Sequence, residues 1–336
     1  MAKQINVGVI GAGRIGKLHA GNIVKNFPAV TVKAIADINA GGLADWAQSL
    51  GIADVYQDYK QILADPAIDA VIICSSTDTH SHITIEAAQA GKHIFCEKPI
   101  DYDVKRIHAA LEAVKKAGVK FQVGFNRRFD HNFKKVRELI QSGAIGDVQI
   151  VKVTSRDPAP PPLEYVKVSG GMFLDMTIHD FDMVRYLTGS EVTEVYANAA
   201  VLVDPAIGAA GDVDTALISL KFKNGAIGMI DNCRQAVYGY DQRVEVLGTK
   251  GGITVTNDTP TTVVMSTGSA VTADKPKYFF LERYMDSFTE EMKEFFQSIA
   301  ENTETAVAGI DGLKPVLIGL AAQESYRAGK PVKLEG

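Results

Sequence analysis

INVGVIGAGRIGKLHAGNIVKNFPAVTVKAIAD, residues 5–37, is the stretch that decides how the first half of the chain folds. A short apolar run ends at GAGRIG (11–16), a helix-like segment follows, and a second apolar run, 30–36, ends in Asp37. This order of segments predicts a strand, a glycine turn, a helix and a second strand.

The three glycines of the turn have separate physical tasks. Gly11 allows a tight turn, Gly13 lets main-chain N–H groups approach a pyrophosphate, and Gly16 lets the helix lie close to the sheet. The positive end of the helix favours the same phosphates. The turn therefore predicts a dinucleotide site, and we expect Arg14 and Ile15 to contact the cofactor as well.

The acid at the end of the second strand indicates which dinucleotide binds. Asp37 lies about 20 residues after Gly16, where an acid accepts hydrogen bonds from the adenosine ribose hydroxyls. Ile38 and Asn39 supply no cation for a 2′-phosphate, and Asp37 would repel one. The sequence predicts NAD as the cofactor rather than NADP.

Length and composition are those of an ordinary globular protein with room for two domains. The chain has 336 residues, of which 46% are hydrophobic and 22% are charged, and about 150 residues per domain is typical. A net charge of −5 without a basic stripe argues against a nucleic-acid or membrane-surface partner. The first residues lead directly into a strand and no apolar run approaches the roughly 20 residues of a membrane span, so we expect a cytoplasmic protein.

The cysteines point to no metal or disulfide framework. Cys74, Cys96 and Cys233 are far apart and form no CxxC pair, so we expect free thiols, with Cys74 and Cys96 buried and unreactive at the ends of strands.

Along the chain, the periodicity divides into an α/β half and a sheet-rich half. Residues 1–124 alternate apolar strands with helices, which predicts a Rossmann doubly wound parallel sheet. Residues 125–336 contain successive strands with turn signals such as KNG (223–225), closed by two helices. We expect the second domain to be α+β, with an open, mostly antiparallel sheet.

A polar loop follows the strand 70–74. It reads SSTDTH (75–80), and the carboxyl ends of strands are where a doubly wound sheet binds its ligand. Ser75, Thr77 and His80 are therefore candidate cofactor contacts. A helix-capping or surface role for His80 is equally compatible with the sequence.

The next strand, 93–96, ends in a second candidate, EKP (97–99). Proline favours an extended conformation at Lys98 and so fixes where its side chain starts. An ammonium group held beside a substrate hydroxyl would stabilise developing alkoxide charge. The alternative is a solvated lysine before a turn.

A third constellation lies in SGGMFLDMTIHDFDM (169–183), which is apolar on nearly every side of the predicted helix. Buried carboxylates need partners, so Asp175, Asp180 and Asp182 require them. Asp175 and His179 are four residues apart and would share one helix face. His179 could accept a proton at neutral pH, with Asp175 orienting it. The alternatives are a core histidine, or a metal held by Asp175, His179 and Asp180, which we disfavour because these residues do not converge on one ion.

With GAGRIG, EKP and the Asp175–His179 pair in this order, the whole chain resembles the glucose-fructose oxidoreductase and inositol dehydrogenase family (Gfo/Idh/MocA). The resemblance implies an NAD-dependent dehydrogenase acting on a ring hydroxyl of a polyol or sugar, with Lys98, Asp175 and His179 as catalytic residues. It also implies cofactor contacts from Glu97 and Lys98, a substrate pocket lined by Arg127, Asp157 and Tyr240 as well as Asp175 and His179, and a homotetramer formed through the open sheet.

Alternatives remain within this resemblance. Arg127 and Arg128 would also suit a carboxylate, so a sugar acid competes with a neutral polyol as substrate, and the variable segment 156–169 leaves the stereoisomer open. A glycoside hydrolase that oxidises its substrate transiently with NAD has no signal in this sequence. A non-catalytic NAD sensor would gain nothing from Lys98, Asp175 and His179.

Overall fold

In the computed structural model, which describes residues 4–334, the stretch 5–37 has the predicted elements. It forms β1 (Ile5–Ile10), α1 (Arg14–Asn26) and β2 (Val30–Ala36). The two strands run parallel, as a strand–helix–strand unit requires.

The segment that follows continues the alternation of helices and strands. Its further elements are α2 (Ala44–Ser49), β3 (Asp54–Tyr56), α3 (Lys60–Ala64), β4 (Ala70–Ile73), α4 (Thr77–Gln89), β5 (His93–Glu97), α5 (Val104–Ala117) and β6 (Phe121–Gly124). The six strands form a parallel sheet in the order β3-β2-β1-β4-β5-β6. The order reverses between β1 and β4, which is the point where such sheets bind ligands. The predicted Rossmann sheet is confirmed.

The remainder of the chain is richer in antiparallel strands. Its elements are α6 (His131–Gln141), β7 (Val148–Arg156), α7 (Leu163–Val166), α8 (Met172–Asp175), α9 (Ile178–Thr188), β8 (Val192–Ala200), α10 (Pro205–Ala209), β9 (Thr215–Phe222), β10 (Ile227–Cys233), β11 (Asp241–Gly248), β12 (Gly251–Val255), β13 (Val264–Ser266), β14 (Val271–Ala273), α11 (Phe280–Arg283), α12 (Met285–Glu301), α13 (Gly309–Ala328) and β15 (Val332–Lys333).

Seven of these strands form the second sheet, in the order β12-β11-β7-β10-β9-β8-β15. Neighbouring strands are antiparallel except β7 and β10, which run parallel. The mostly antiparallel sheet is confirmed, and β15 at its edge is an addition that the sequence pattern did not predict. Residues alternate between a buried and an exposed face along β9 to β11, as the two-residue period of a strand dictates.

Contacts within the chain group it into two units. One unit comprises the chain up to Asn126 together with Asp286–Lys314, and the other comprises Arg127–Met285 and the residues from Pro315 onward. The predicted domains, 1–124 and 125–336, follow chain order, whereas these units do not. The reason is visible in the first core, where Met292, Phe295 and Phe296 of α12 join the buried strand residues of the parallel sheet.

Between residues 4 and 334, no helix is long and apolar enough to cross a membrane.

Candidate active site

The glycine turn after β1 has the geometry that a dinucleotide site needs. Gly11 has φ +91°, and a Cβ there would lie 2.5 Å from the main-chain nitrogen of Ser75. A Cβ on Gly16 would clash with the carbonyl oxygen of Gly11. Side chains at both positions would therefore force the turn apart. A Cβ on Gly13, by contrast, would meet no described atom within 4 Å, which leaves open space over the start of α1.

The start of α1 suits an anion. Gly13, at its N-cap, has no side chain to cap the helix, and the first turn carries no acidic residue. Arg14 is exposed and Ile15 half-buried in that first turn. Main-chain N–H groups and the helix dipole therefore remain available for the pyrophosphate of a dinucleotide.

Asp37 lies directly beside this turn. One carboxylate oxygen accepts a hydrogen bond from the main-chain nitrogen of Ala12 at 2.7 Å, and the other accepts one from Asn39 at 2.8 Å. These bonds fix the carboxylate against the glycine turn, and its remaining lone pairs can accept ribose hydroxyls. Turn and acid together fit NAD.

The prediction of a polar loop over residues 75–80 is wrong from Thr77 onward, because α4 begins there. Ser75 stays in the connection and its hydroxyl pairs with that of Thr79 at 2.7 Å. His80 is buried, and its two ring nitrogens lie 2.8 Å from the carbonyl oxygen of Pro99 and 2.9 Å from that of Ser75. Both ring nitrogens of His80 therefore face main-chain carbonyl oxygens, which leaves neither nitrogen for a hydrogen bond to the cofactor. His80 instead ties the end of β4 to the turn after Lys98.

The strand β5 ends at Glu97, one residue later than predicted, and Lys98 follows it directly; both residues are half-buried. The carboxylate of Glu97 lies 2.8 Å from Nε2 of His19 on α1. Lys98 precedes Pro99 through a cis peptide bond. The turn that carries Lys98 therefore follows directly after Glu97, whose carboxylate is held by His19 of the same unit.

In the second unit, the predicted single helix around Asp175 is two helices. Asp175 ends α8 and His179 lies in the first turn of α9, so the expectation that they share one helix face is wrong. The hydrogen bonds change at the break: the Thr177 nitrogen donates to the Met172 carbonyl, five residues back, and the Asp180 nitrogen donates to the Thr177 carbonyl, three residues back. Asp175 and His179 are both half-buried.

Arg127 and Asp180 form a buried ion pair in the second unit. Arg127 donates to Asp180 at 2.6 Å, and the two side chains are 6% and 0% exposed. The second carboxylate oxygen of Asp180 accepts from the amide of Asn232 at 2.9 Å. Burial raises the pKa of the Asp180 carboxyl, and the charge of Arg127 opposes that rise. The requirement that buried carboxylates find partners is met here by residues from distant segments.

Two tyrosines lie beside Arg127. It donates to the hydroxyl of Tyr240 at 3.4 Å, and its guanidinium lies 5.8 Å from the ring centre of Tyr284. Burial raises the pKa of Tyr240 to about 12, so its hydroxyl is protonated at neutral pH and can donate a hydrogen bond. Arg127 and Tyr240 were predicted to share a pocket, and the structure brings them together; Tyr284 was not predicted.

Asp157 lies at the end of β7, close to several other charges. Burial, reinforced by the negative charge of Asp175, raises its pKa to about 6, and Arg234 and Arg127 oppose the rise. A carboxyl with such a pKa changes charge near neutral pH. Asp157 therefore shares an electrostatic environment with Arg127 and Asp175, with which it was predicted to act.

Sequence reasoning missed the partners of Asp175. Tyr165 donates to one of its oxygens at 2.8 Å, and Arg234, itself buried, lies 3.5 Å from the other. Arg234 also lies 3.7 Å from Asp212, which accepts hydrogen bonds from the main-chain nitrogen of Met172 at the start of α8. Asp175 is thus a carboxylate held in place by an arginine and a tyrosine.

Arg128 is paired within the same unit. It binds Asp182 through two hydrogen bonds of 2.6 and 2.8 Å. This fork geometry is the strong form of the interaction.

The candidate metal set of Asp175, His179 and Asp180 finds no support in these contacts, because Asp180 is engaged by Arg127 and Asn232. Of the described residues, His19, Glu97 and Glu291 form the group whose ligand-type atoms come closest to a metal-binding arrangement. All three belong to the first unit.

The parallel sheet and glycine turn define an NAD-binding Rossmann oxidoreductase, and the family models agree. Residues 5–125 match the model described as "Oxidoreductase family, NAD-binding Rossmann fold". Residues 133–254 match the model of the GFO/IDH/MocA C-terminal domain. The chain belongs to the Gfo/Idh/MocA family of oxidoreductases.

Similar proteins extend over the whole length. A Bacillus subtilis protein named uncharacterized oxidoreductase YrbE is 54% identical over 100% of this chain and 98% of its own. A Thermotoga maritima protein named myo-inositol 2-dehydrogenase is 50% identical over 98% of this chain and 99% of its own.

Solved structures agree with this fold. The crystal structure of a probable dehydrogenase from Thermotoga maritima has a TM-score of 0.96 at 50% identity, over 98% of both chains. A scyllo-inositol dehydrogenase from Lactobacillus casei, crystallised with NAD(H) and scyllo-inositol, has a TM-score of 0.92 at 31% identity, over 98% of this chain and 99% of its own.

Proposed function

We propose that this protein is an NAD-dependent inositol 2-dehydrogenase, which oxidises myo-inositol to 2-keto-myo-inositol. The observation that carries the proposal is the match, at 50% identity over nearly the full length of both chains, to a relative named myo-inositol 2-dehydrogenase. The glycine turn and Asp37 supply the NAD site that this reaction requires.

In the proposed reaction, three side chains of this protein handle charge and protons. His179 removes the proton of the ring hydroxyl, Lys98 stabilises the negative charge that develops on that oxygen, and Asp175 orients the hydroxyl and the histidine. NAD, when bound, accepts the hydride from the ring carbon. The fixed position of Asp175 between Tyr165 and Arg234 supports the orienting role, since a positioned carboxylate needs no rearrangement during turnover.

The contacts of the two arginines favour a neutral polyol over a sugar acid. Arg127 is paired with Asp180 and Arg128 with Asp182, each at 2.6 Å. Their charges are therefore balanced within the protein, and an acidic substrate would have to compete with a carboxylate for either guanidinium. A ring carrying only hydroxyls finds acceptors in Asp157 and Asp175 and a donor in Tyr240.

A second inositol stereoisomer is a candidate substrate. The Lactobacillus casei structure named scyllo-inositol dehydrogenase superimposes on nearly the whole chain, so scyllo-inositol is the alternative substrate. Other sugars, such as glucose, and uronates are further alternatives on the same scaffold.

We also propose that the protein acts as a homotetramer. The exposed face of the second sheet supports this, because Leu247, Ile150 and Ile227 lie side by side on neighbouring strands and are 44%, 40% and 51% exposed. A contiguous apolar row on a sheet face indicates a protein contact. Light scattering at micromolar concentration should give four times the chain mass, and a monomer would contradict the proposal.

The activity is tested by following NADH formation with NAD and a panel of myo-inositol, scyllo-inositol, D-glucose and D-glucuronate. We expect the fastest turnover on myo-inositol. His179→Ala should lower this turnover strongly, whereas His108→Ala, a change at an exposed histidine of α5, serves as the matched control and should leave it unchanged. Turnover of glucose or glucuronate without turnover of either inositol would support NAD-dependent oxidation of a hydroxyl but contradict inositol as the substrate. Binding of NAD without oxidation of any polyol would favour the non-catalytic sensor.

A further inference from the structure

A buried polar cluster lies in the first unit, behind the turn that carries Lys98. It consists of His19 on α1, Glu97 at the end of β5 and Glu291 on α12, and one nitrogen or oxygen atom from each lies within 4.8 Å of the others. Nε2 of His19 is 2.8 Å from Glu97 and 3.9 Å from Glu291. The side chains of His19 and Glu291 are 0% exposed and that of Glu97 is 14% exposed.

The surroundings of this cluster are apolar. The His19 ring packs edge-on against Phe95 and Phe288, with ring centres 5.2 and 5.7 Å away. Both carboxylate oxygens of Glu291 are buried without a hydrogen-bond partner among the described residues. An ionised carboxylate in such a place is strongly disfavoured. Burial raises the pKa of Glu291 well above its ordinary range, and the charge of Glu97 raises it further.

The groups that face Glu291 offer it little positive charge. They are His19 from α1, Glu97 from β5 and the thiol of Cys74 after β4, whose own pKa is raised by burial and by both carboxylates. Gln122 of β6 donates to the main-chain oxygen of Glu291, not to its carboxylate. Two carboxylates this close in an apolar setting repel each other strongly unless a proton or a cation neutralises one of them.

We propose that Glu291 is protonated at neutral pH and that, with His19, it positions Glu97 and thereby Lys98. His19 donates its Nε2–H to the carboxylate of Glu97, and a protonated Glu291 adds no second negative charge beside it. Gly124 leaves room for the Glu97 carboxylate, since an added Cβ there would lie 3.0 Å from it. Because Lys98 directly follows Glu97, a shift of Glu97 moves the lysine. This positioning role rests on the proposed function of Lys98, whereas the protonation of Glu291 does not.

The proton is tested first, without any assay of activity. Infrared spectra of the whole protein in ²H₂O at pH 7.5 should show the C=O stretch of a buried carboxylic acid. Glu291→Gln should remove this band, whereas Glu301→Gln, at an exposed position on the same helix, should retain it. A wild-type spectrum without the band, or a band that persists in Glu291→Gln, would overturn the proposal. So would a stoichiometric metal ion that elemental analysis finds in the wild type and not in Glu291→Gln, because a cation would then balance the charge.

The positioning role is tested by two substitutions at His19. His19→Gln keeps an N–H donor of similar reach, and His19→Leu removes it. Misplacement of a catalytic group by about 1 Å lowers turnover by about 100-fold, so we expect His19→Leu to lose 10- to 100-fold in kcat with little change in the KM of the polyol. His19→Gln should recover most of that loss. Equal losses in both variants, or a loss confined to KM, would overturn the positioning role. Failure of the proposed function would appear differently, as a wild type inactive on every polyol but with the carboxylic-acid band intact.

Discussion

Asp157→Asn should make the protein more stable near neutral pH. Burial and the charge of Asp175 raise the pKa of the Asp157 carboxyl from 3.8 to about 6 in the folded protein. Between about pH 4 and pH 6 the folded protein therefore retains a proton that the unfolded chain has released. In that window the free energy of unfolding falls as pH rises, and above pH 6 it stays at the lowered level.

The size of the effect follows from the pKa. A rise of about two pH units corresponds to about 3 kcal/mol, so the wild type has lost about that much stability by pH 7. Asparagine has no charge to bury and avoids the loss. The variant should equal the wild type near pH 4 and exceed it by up to about 3 kcal/mol at pH 7, or roughly 4 °C in Tm for a chain of this length.

Urea unfolding of both proteins from pH 4.5 to pH 8 measures this difference. Asp147→Asn, at an exposed position just before β7, is the matched control and should follow the wild type. Because Asp157 is proposed to line the polyol pocket, the stabilised variant should also show a raised KM for the polyol. A variant that is less stable than the wild type by the same amount at every pH would refute the reasoning.

Three further predictions concern the catalytic, cofactor and structural residues. His179→Ala should lower kcat by about 100- to 10,000-fold, the usual contribution of a general base, while NAD affinity measured by fluorescence titration stays the same; retention of most turnover would exclude that role. Asp37→Ser should lower the preference for NAD, measured as kcat/KM with NAD divided by kcat/KM with NADP, by about tenfold or more, since it removes the charge that repels a 2′-phosphate. Equal use of both cofactors by the wild type would contradict the assignment of NAD as the cofactor. Asp180→Asn leaves Arg127 buried beside an uncharged amide and should lower the free energy of unfolding by about 3–5 kcal/mol in urea; a change below about 1 kcal/mol would show that Tyr240 and Ser155, whose hydroxyl accepts from Arg127 at 3.3 Å, compensate for the lost charge.

The first half of the chain was predictable because local patterns determine it. The glycines of GAGRIG, the apolar strands and the acid at position 37 follow one another within 33 residues, and the structure reproduces β1, α1 and β2 with the predicted bounds of both strands. The glycine spacing also determines where the phosphates of NAD can lie. Parallel strands covered on both faces have a continuous apolar signal, which is difficult to confuse with a loop.

The second site was predictable only in part, because long-range contacts determine it. The sequence indicated that Asp180 needs a partner, but not that Arg127 and Asn232, 53 and 52 residues away, supply it. Arg234, which lies beside Asp175, carries no local signal at all. The break between α8 and α9 coincides with a bond from the Thr177 hydroxyl to Asn232, a contact that helical periodicity does not encode.

Two helix starts that the sequence analysis did not predict nevertheless have typical helix-start residues before them. The helix α10 begins after Asp204, whose side chain accepts a hydrogen bond from the nitrogen of Ala206 at 2.9 Å, and Pro205 occupies its first position. Aspartate followed by proline is a typical helix start. The early start of α4 follows Ser76, a residue type that often precedes helices.

The most direct test of the proposed function is the transfer of hydrogen from myo-inositol carrying deuterium at C2. Wild-type protein incubated with NAD and this substrate should transfer the deuterium to the cofactor, yield 2-keto-myo-inositol, and show a smaller kcat/KM than with unlabelled myo-inositol wherever hydride transfer limits the rate. If the label remains on the inositol, or NADH forms only from another sugar, the protein is not an inositol 2-dehydrogenase.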